Sequence, residues 1–437
     1  MQYYSTNKSV PEVSLQEAVT KGLADDKGLF MPDHINPLPA SFFETIEQLS
    51  FQEISFEVAK AFFGEDIPEA DLKQLVFDTL QFDCPVVPVH DKIYSLELFH
   101  GPTLAFKDVG GRFMARLLGY FLKQKNNRKQ VNVLVATSGD TGSAVANGFL
   151  GVDGIHVYVL YPKGLVSEIQ EKQFTTLGQN ITSIEVDGTF DDCQRLVKTA
   201  FLDEELKSKL TLTSANSINV ARFLPQAFYY FNAYARLKEQ GLQDELVVAV
   251  PSGNFGNLTA GLFAQQMGLP IKRFIAANNE NDIVYKYLQS GQYEPRPSVS
   301  TIANAMDVGD PSNFARILDL YGHSHAKISS VMKGFRYSDE QIKEVLLQVY
   351  KEYNYLLDPH GACAYKALST DLVAGEMGVF LETAHPAKFT ETVEAIIGQG
   401  NVPLPEKLAE FMKGEKLSVP CSKAFDDFKG FLLREAK

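Results

Sequence analysis

The 437 residues hold 41 Lys plus Arg against 54 Asp plus Glu, a net charge of −13, with 45% hydrophobic and 22% charged residues. This is ordinary globular composition at a length suited to two or three domains, and the acidic balance argues against nucleic acid or an anionic membrane as partner. Cys84, Cys193, Cys363 and Cys421 stand far apart with no CxxC or Cys/His cluster, which points away from a zinc site or disulfide framework and fits a reducing cytoplasm.

The N-terminus has no basic region followed by an apolar one, so no secretory signal is expected, and no apolar run reaches membrane-spanning length. Residues 1–85 read as mixed structure with several helices. Ser14 suits an N-cap, with Glu17 three residues on. Gly28 to Pro32 is a short apolar turn. Residues 51–63 and 69–82 have apolar positions at helical spacing. Residues 86–89 and 93–99 are two short strands around Asp91-Lys92. A helix over 111–125 follows, with a stripe of Phe113, Leu117, Leu118, Phe121 and Leu122.

Strands and helices then alternate. Strands are expected over 130–136, 155–161, 181–186 and 210–213, and helices over 144–150, 167–177 and 191–201. Such alternation means a parallel sheet covered by helices. A polar turn at 214–219 leads through Arg222 into a long helix with Phe228, Tyr229, Tyr230 and Phe231. The apolar strand 245–250, a helix over 258–267 and a strand over 272–277 begin a second sheet. Residues 289–314 are loop-rich. Ser338 caps a helix to Tyr353, with Asp339, Glu340 and Gln341 at its positive end. Asp358-Pro359-His360-Gly361 precedes a helix to Leu368, and the strand 379–382 runs into Thr383. The last fifty residues read as helical and peripheral.

The chemistry centres on His100-Gly101-Pro102-Thr103-Leu104-Ala105-Phe106-Lys107-Asp108. Apolar neighbours disfavour the ammonium form of Lys107, and a neutral amine attacks an aldehyde to form a Schiff base. A lysine snorkelling from a helix start is the plain alternative. Ser252-Gly253-Asn254-Phe255-Gly256-Asn257, between strand and helix, is built as a phosphate cradle, although an ordinary turn also favours Gly and Asn. It is neither a Walker loop nor GxGxxG. Thr137-Ser138-Gly139-Asp140-Thr141-Gly142 is a second such loop, with three hydroxyls. Asn216, Ser217 and Arg222 could add an anion clamp, the alternative being a helix cap and a surface arginine. The Thr383 hydroxyl could face a cofactor at the carboxyl edge of a sheet. His100, His360 and His385 stand in turns, and no metal-ligand spacing links them.

Together these motifs resemble the bacterial and fungal threonine synthases among the fold-type II pyridoxal-phosphate enzymes. The match runs from Ser14-Leu15-Gln16-Glu17-Ala18 to Thr383-Ala384-His385-Pro386-Ala387-Lys388-Phe389, through Leu160-Tyr161-Pro162-Lys163-Gly164 and Asn304-Ala305-Met306-Asp307. The resemblance implies a three-layer αβα fold in two lobes, like the tryptophan synthase β subunit, with a helical N-terminal region. It implies that Lys107 carries pyridoxal 5′-phosphate as a Schiff base and that Gly253, Asn254, Phe255, Gly256 and Asn257 bind its phosphate. Thr383 would face the ring nitrogen, leaving it largely unprotonated. Ser138, Thr141, Asn216, Ser217 and Arg222 would hold the substrate's phosphate or carboxylate. Asp140 stands near the cofactor where many relatives have asparagine. An ionised aspartate cannot donate the same hydrogen bond, so its role stays open.

The implied reaction converts O-phospho-L-homoserine and water to L-threonine and phosphate by β,γ-elimination and replacement, in a cytoplasmic monomer. A serine/threonine dehydratase on the same fold is one alternative; it would need no site for a substrate phosphate. A non-catalytic phosphate-binding relative is another, against which the intact Lys107 argues. The expected organisation is an N-terminal subdomain over 1–85, a large cofactor-binding domain of 86–111 plus 222–437, and a small mobile domain over 112–221.

Overall fold

The computed structural model describes residues 1–124, 129–241 and 244–436. In chain order its strands are β1 (Gln2–Ser5), β2 (Val13–Ser14), β3 (Phe30–Pro32), β4 (Val86–His90), β5 (Ile93–Glu97), β6 (Val131–Ala136), β7 (Ile155–Pro162), β8 (Ile181–Asp187) and β9 (Thr211–Ser214). They continue with β10 (Glu245–Pro251), β11 (Ile271–Asn278), β12 (Met332–Arg336), β13 (Glu376–Glu382) and β14 (Val419–Ser422). β2-β1-β3 form a small sheet. β12-β11-β10-β13-β5-β4 form a six-stranded sheet, and β14-β8-β7-β6-β9 a five-stranded one. The five-stranded sheet is parallel throughout. The six-stranded sheet is parallel except for the β4–β5 hairpin.

Two compact units result. The first comprises Met1, Met31–Phe106 and Phe223–Pro403; the second comprises Gln2–Phe30, Lys107–Arg222 and Leu404–Lys437. This division differs from the three domains expected from sequence. The terminal residues join the second unit because β14 pairs with β8 in register Val419↔Ile184 to Ser422↔Asp187, so the C-terminal segment is not merely peripheral helix. Residues 31–85 pack in the first unit, where the helix Phe51–Phe63 lies against Ala227–Glu239.

Burial explains the strands. β10 is apolar from Leu246 to Pro251 and buried along that whole length, as a parallel strand covered on both faces must be. In the first unit Val247, Ile275 and Phe380 of the sheet pack with Ile342, Leu346 and Leu368 of two helices. In the second, Leu134, Leu160 and Ile184 pack with Leu196, Phe428 and Leu432. The four aromatics of the helix Ala227–Glu239 that the sequence singles out are all buried.

Three helices begin earlier than their apolar patterns suggest: Lys107–Gln124, Asp140–Phe149 and Gly256–Gln266. Each opens on or near glycine, which reads as loop. The glycines serve close approach instead. A Cβ on Gly111 would lie 3.0 Å from Ala144 O, and one on Gly148 3.0 Å from Gly111 O, so these two bring the first pair of helices together. The expected end of the first of them, at Lys125, lies outside the described residues. The helix expected to reach Phe82 stops at Thr79, ahead of a turn into Pro85 that the helical conformation cannot pass.

Candidate active site

In the first unit, three chain segments leave neighbouring parallel strands at their carboxyl ends. β10 delivers Ser252–Asn257, β13 delivers Thr383, and β5 delivers the segment that ends at Phe106, after which the chain enters the second unit at Lys107. Ligands bind at such an edge in open α/β sheets. Leu98 N donates to Glu382 O at 2.9 Å, which continues the β5–β13 pairing.

The residues before Lys107 are held by the extension of β13. Phe106 N donates to Thr383 O at 2.9 Å, and His385 N to Leu104 O at 3.0 Å. Ala105 and Ala384 form an antiparallel bridge. The buried Lys388 Nζ donates to Thr103 O at 2.8 Å. Leu104 takes a left-handed φ of 57°, a conformation that persists only where the surroundings fix it. Lys107 is then the first residue of the helix Lys107–Gln124 and is half-buried.

The loop after β10 has the form of an anion cradle. Phe255, φ 62° and ψ 12°, is the N-cap of the helix Gly256–Gln266 and makes no side-chain cap bond. An apolar cap leaves the first amides of a helix to an anion. The side-chain oxygens of Asn254 and Asn257 are both taken by backbone amides. Asn254 Oδ1 accepts Ser312 N at 2.6 Å, and Asn257 Oδ1 accepts Leu258 N at 2.9 Å. Tyr230 Oη donates to Asn257 O at 2.8 Å. A Cβ on Gly253 would lie 2.8 Å from both Ala305 O and Met306 Cα, so only glycine lets the loop pass beneath that backbone. These features fit a phosphate, and hence the phosphorylated cofactor.

Beneath Thr383 lies a cluster the motifs do not announce. Glu382, Asp358 and His360 are all buried. His360 Nδ1 bonds Asp358 Oδ1, and Ala305 N donates to His360 Nε2 at 3.2 Å, so Nδ1 carries the ring proton. Burial, then the Asp358 charge, pushes the Glu382 carboxyl well above its ordinary value. Burial works to raise Asp358 too, but His360 and the bonds from His360 and Glu382 bring it below the usual carboxylate range. The signal that could have flagged Glu382 is an acid at the end of an otherwise apolar strand. His385 is half-buried, and the loss of solvent brings its imidazole down to about 4.

In the second unit, Ser138, Asp140 and Thr141 follow β6, and Asn216, Ser217 and Arg222 follow β9. These strands are neighbours, paired from Val131↔Thr211 to Leu134↔Ser214. Asn216 Nδ2 donates to Ala136 O at 3.2 Å and ties the two loops. Ser138, Thr141, Asn216 and Ser217 are half-buried. Thr137, expected among the cradle's hydroxyls, is turned inward: its Oγ1 accepts Gly139 N at 2.9 Å and Gly142 N at 2.8 Å. Asp140 Oδ1 accepts Gln170 Nε2 at 2.9 Å at the start of its helix, where a carboxylate suits the helix dipole. Arg222 is buried, not a surface residue, and its Nη1 donates to Ala215 O. Burial lowers its guanidinium to about 10, with the Asp108 charge acting the other way.

Among the described residues no group of three or more His, Cys, Asp or Glu is arranged to hold a metal ion, and no helix is long and apolar enough to cross a membrane.

Residues 86–379 match the family described as pyridoxal-phosphate dependent enzyme, residues 2–80 the threonine synthase N terminus, and residues 361–431 the threonine synthase C-terminal region. The chain is 46% identical to threonine synthase of Escherichia coli (strain K12), over 94% of each chain. It is 45% identical to that of Serratia marcescens, over 99% of each. The PLP-bound crystal structure of threonine synthase from Brucella melitensis superposes with a TM-score of 0.92 at 34% identity, covering all of both chains. The structure of maize serine racemase shares the fold alone, at 16% identity and a TM-score of 0.53 over 76% of this chain and 92% of that one. On these matches and on the loops that present Lys107, Thr383 and the Ser252–Asn257 turn, the chain belongs to the threonine synthase family of fold-type II pyridoxal-phosphate-dependent enzymes.

Proposed function

We propose that the protein converts O-phospho-L-homoserine and water to L-threonine and phosphate, as a cytoplasmic monomer. The observation that carries this reading is the gathering of the Lys107 segment, Thr383 and the uncapped Gly256–Gln266 helix at adjoining strand ends. The four free cysteines are in keeping with a reducing compartment.

Lys107 would hold the cofactor covalently, with the amides of Phe255, Gly256 and Asn257 on its phosphate and the Thr383 hydroxyl on its ring nitrogen. Asp140 would stand beside the cofactor's 3′-oxygen, with its carboxylate engaged by Gln170. Bound pyridoxal phosphate supplies an electron sink for the carbanion formed beside the substrate's amine. The Lys107 amine takes and returns protons at Cα and Cβ of the substrate, a general acid–base role. Ser138, Thr141, Asn216, Ser217 and Arg222 bind the substrate's anionic groups and keep the phosphate in place as it leaves Cγ. Buried Arg222 fits this task because a guanidinium in a dry setting holds an oxyanion more strongly than one in water. Thr383, neutral on either side of the reaction, keeps the ring nitrogen largely unprotonated.

The test mixes purified protein, pyridoxal phosphate and O-phosphohomoserine and follows phosphate and threonine, with serine and threonine as parallel substrates. Phosphate and threonine in equal amounts are expected. Keto acid from serine without phosphate release would transfer the protein to the dehydratases. Silence on all three substrates would favour a binding protein. Lys107→Ala is expected to abolish turnover with the fold retained.

A further inference from the structure

We propose that Asn313 and Arg316 are positioning residues for the cofactor phosphate, fixing the Asn254–Phe255 peptide so that the Phe255 amide points into the cradle. The proposal rests on the reading of Ser252–Asn257 as the phosphate loop and assigns its rigidity to two residues distant in the chain.

The chain of contacts is short. Arg316, 0% exposed, donates from Nη1 to Asn313 Oδ1 at 2.6 Å. Asn313 turns its own backbone N and its side-chain Nδ2 onto Asn254 O, at 3.3 and 3.1 Å. Asn313 is the N-cap of the helix Phe314–Leu320, yet its side chain makes no cap bond there. It is used on the neighbouring loop instead. Ser312 N reaches the Asn254 side chain at 2.6 Å, so Ser312 and Asn313 together grip a single residue of the cradle.

A trans peptide sets its carbonyl and its amide on opposite sides of the chain. With Asn254 O held by two donors, the N–H of Phe255 must face away from Asn313. Phe255 is fixed from its other end as well, its carbonyl accepting Thr259 N at 2.9 Å and Thr259 Oγ1 at 2.7 Å. Its left-handed φ of 62° is costly for an aromatic residue and persists because both flanking peptides are pinned. The cradle therefore meets its anion without first being ordered, and preorganisation of this kind raises affinity.

Arg316 explains why Asn313 holds its pose. An ionised donor makes a stronger bond than a neutral one and fixes which end of the Asn313 amide faces it. The Arg316 guanidinium lies 4.0 Å over the Phe223 ring, a favourable cation–π arrangement. Burial lowers it to about 9, which leaves it charged at neutral pH.

The experiment compares apo-protein binding of pyridoxal 5′-phosphate with binding of pyridoxal, which lacks the phosphate, by titrating the visible absorption of the lysine-bound aldehyde. Asn313→Ala and Arg316→Met are expected to weaken pyridoxal phosphate by ~10-fold or more, with pyridoxal changed by less than ~3-fold. Asn313→Asp is the safeguard against misfolding. It keeps an oxygen for Arg316 but sets a carboxylate oxygen where Nδ2 met Asn254 O, and it should lower the same affinity ratio. Arg316→Lys, which still offers a charged donor, should restore part of it. Equal losses for both ligands in Asn313→Asp, or no loss in either, would overturn the assignment. Wild-type protein that binds both ligands alike would instead overturn the phosphate-loop reading itself.

Discussion

The backbone N of Asp358 donates to Glu382 Oε2 at 3.4 Å, which sets two buried carboxyl side chains beside each other inside the protein. Asp358 Oδ2 and Glu382 Oε1 are buried without a hydrogen-bond partner among the described residues, and burial beside the Asp358 charge favours the protonated form of Glu382. Asp358 keeps the charge because it caps the helix Pro359–Asp371, accepting His360 N at 2.7 Å, and faces the His360 ring. Glu382 keeps the proton and stands next to Thr383. Glu97 and the Tyr355 hydroxyl are the other titratable groups near it.

This pair makes stability pH-dependent. Glu382 is raised in the folded state, so its contribution is full below its unfolded value of about 4.5 and falls away as pH rises towards the folded value. The slope reaches about 1.4 kcal/mol per pH unit for one proton. Glu382→Gln keeps a side chain of the same size that stays neutral at every pH. Its unfolding midpoint should gain on wild type as pH rises above about 5. Parallel profiles for the two proteins would mean that Glu382 keeps no extra proton in the folded state.

The opposite sign appears at Glu376. A hydrogen bond from Arg273 is the main cause that lowers its carboxyl to about 2. Arg273 also binds Asp371 Oδ2 from Nε at 2.9 Å and from Nη2 at 2.7 Å. A depressed carboxylate contributes above its unfolded value of 4.5, and the contribution is lost as pH falls towards 2. Glu376→Gln should therefore cost about 3 kcal/mol at neutral pH and flatten the acid limb. Chemical unfolding followed from neutral to acid pH measures this, and an unchanged acid limb would count against the ion pair.

Local pattern carries the regions of this protein that are continuous in sequence. The apolar run of β10, the turn residues after it and Ser338 capping Asp339–Tyr353 are all readable as written. The Lys107 stretch stands out in the sequence for the same reason: the residues that mark it are adjacent. What periodicity cannot carry is partnership across the chain. β14 is a short stretch whose strand character comes from β8, distant in sequence. Asn313 and Arg316 sit in a loop-rich region and a seven-residue helix, and only the fold brings them to Asn254. The alternative of a surface arginine at Arg222 falls away because the residue is buried and Gly110 packs against its carbonyl, where a Cβ would clash. Thr137 shows the converse, since a hydroxyl in a cradle-like sequence serves as its own loop's cap.

Gly253 offers a direct test of the cradle's shape. A Cβ there would press on Ala305 O and Met306 Cα at 2.8 Å, and both are backbone atoms that cannot rotate aside. Gly253→Ala should shift the loop and weaken pyridoxal phosphate by ~10-fold or more, while thermal stability falls by no more than about 2 kcal/mol. Equilibrium dialysis of the apo-protein against the cofactor gives the first quantity and calorimetry the second. Unaltered affinity would show that the Ala305–Met306 turn yields.

Asn219 organises the loop that carries Asn216, Ser217 and Arg222. Its Nδ2 donates to Val19 O at 2.9 Å and to Ser214 O at 3.1 Å, and its Oδ1 accepts Ala221 N at 3.0 Å, all in a fully buried setting. One side chain thus ties the N-terminal helix Leu15–Lys21 to the end of β9 and to the turn into Arg222. Asn219→Ala would leave two carbonyls and an amide without it, at a cost of about 3 kcal/mol. Asn219→Asp keeps the acceptor for Ala221 but turns lone pairs on two carbonyls, so at neutral pH it should be no better than the alanine. In mild acid the protonated carboxyl can donate once, and Asn219→Asp should then recover part of the loss while Asn219→Ala does not. Unfolding curves of the two variants at neutral and acid pH distinguish them. An aspartate variant as stable as wild type at neutral pH would mean that the Val19 and Ser214 carbonyls do not depend on Nδ2.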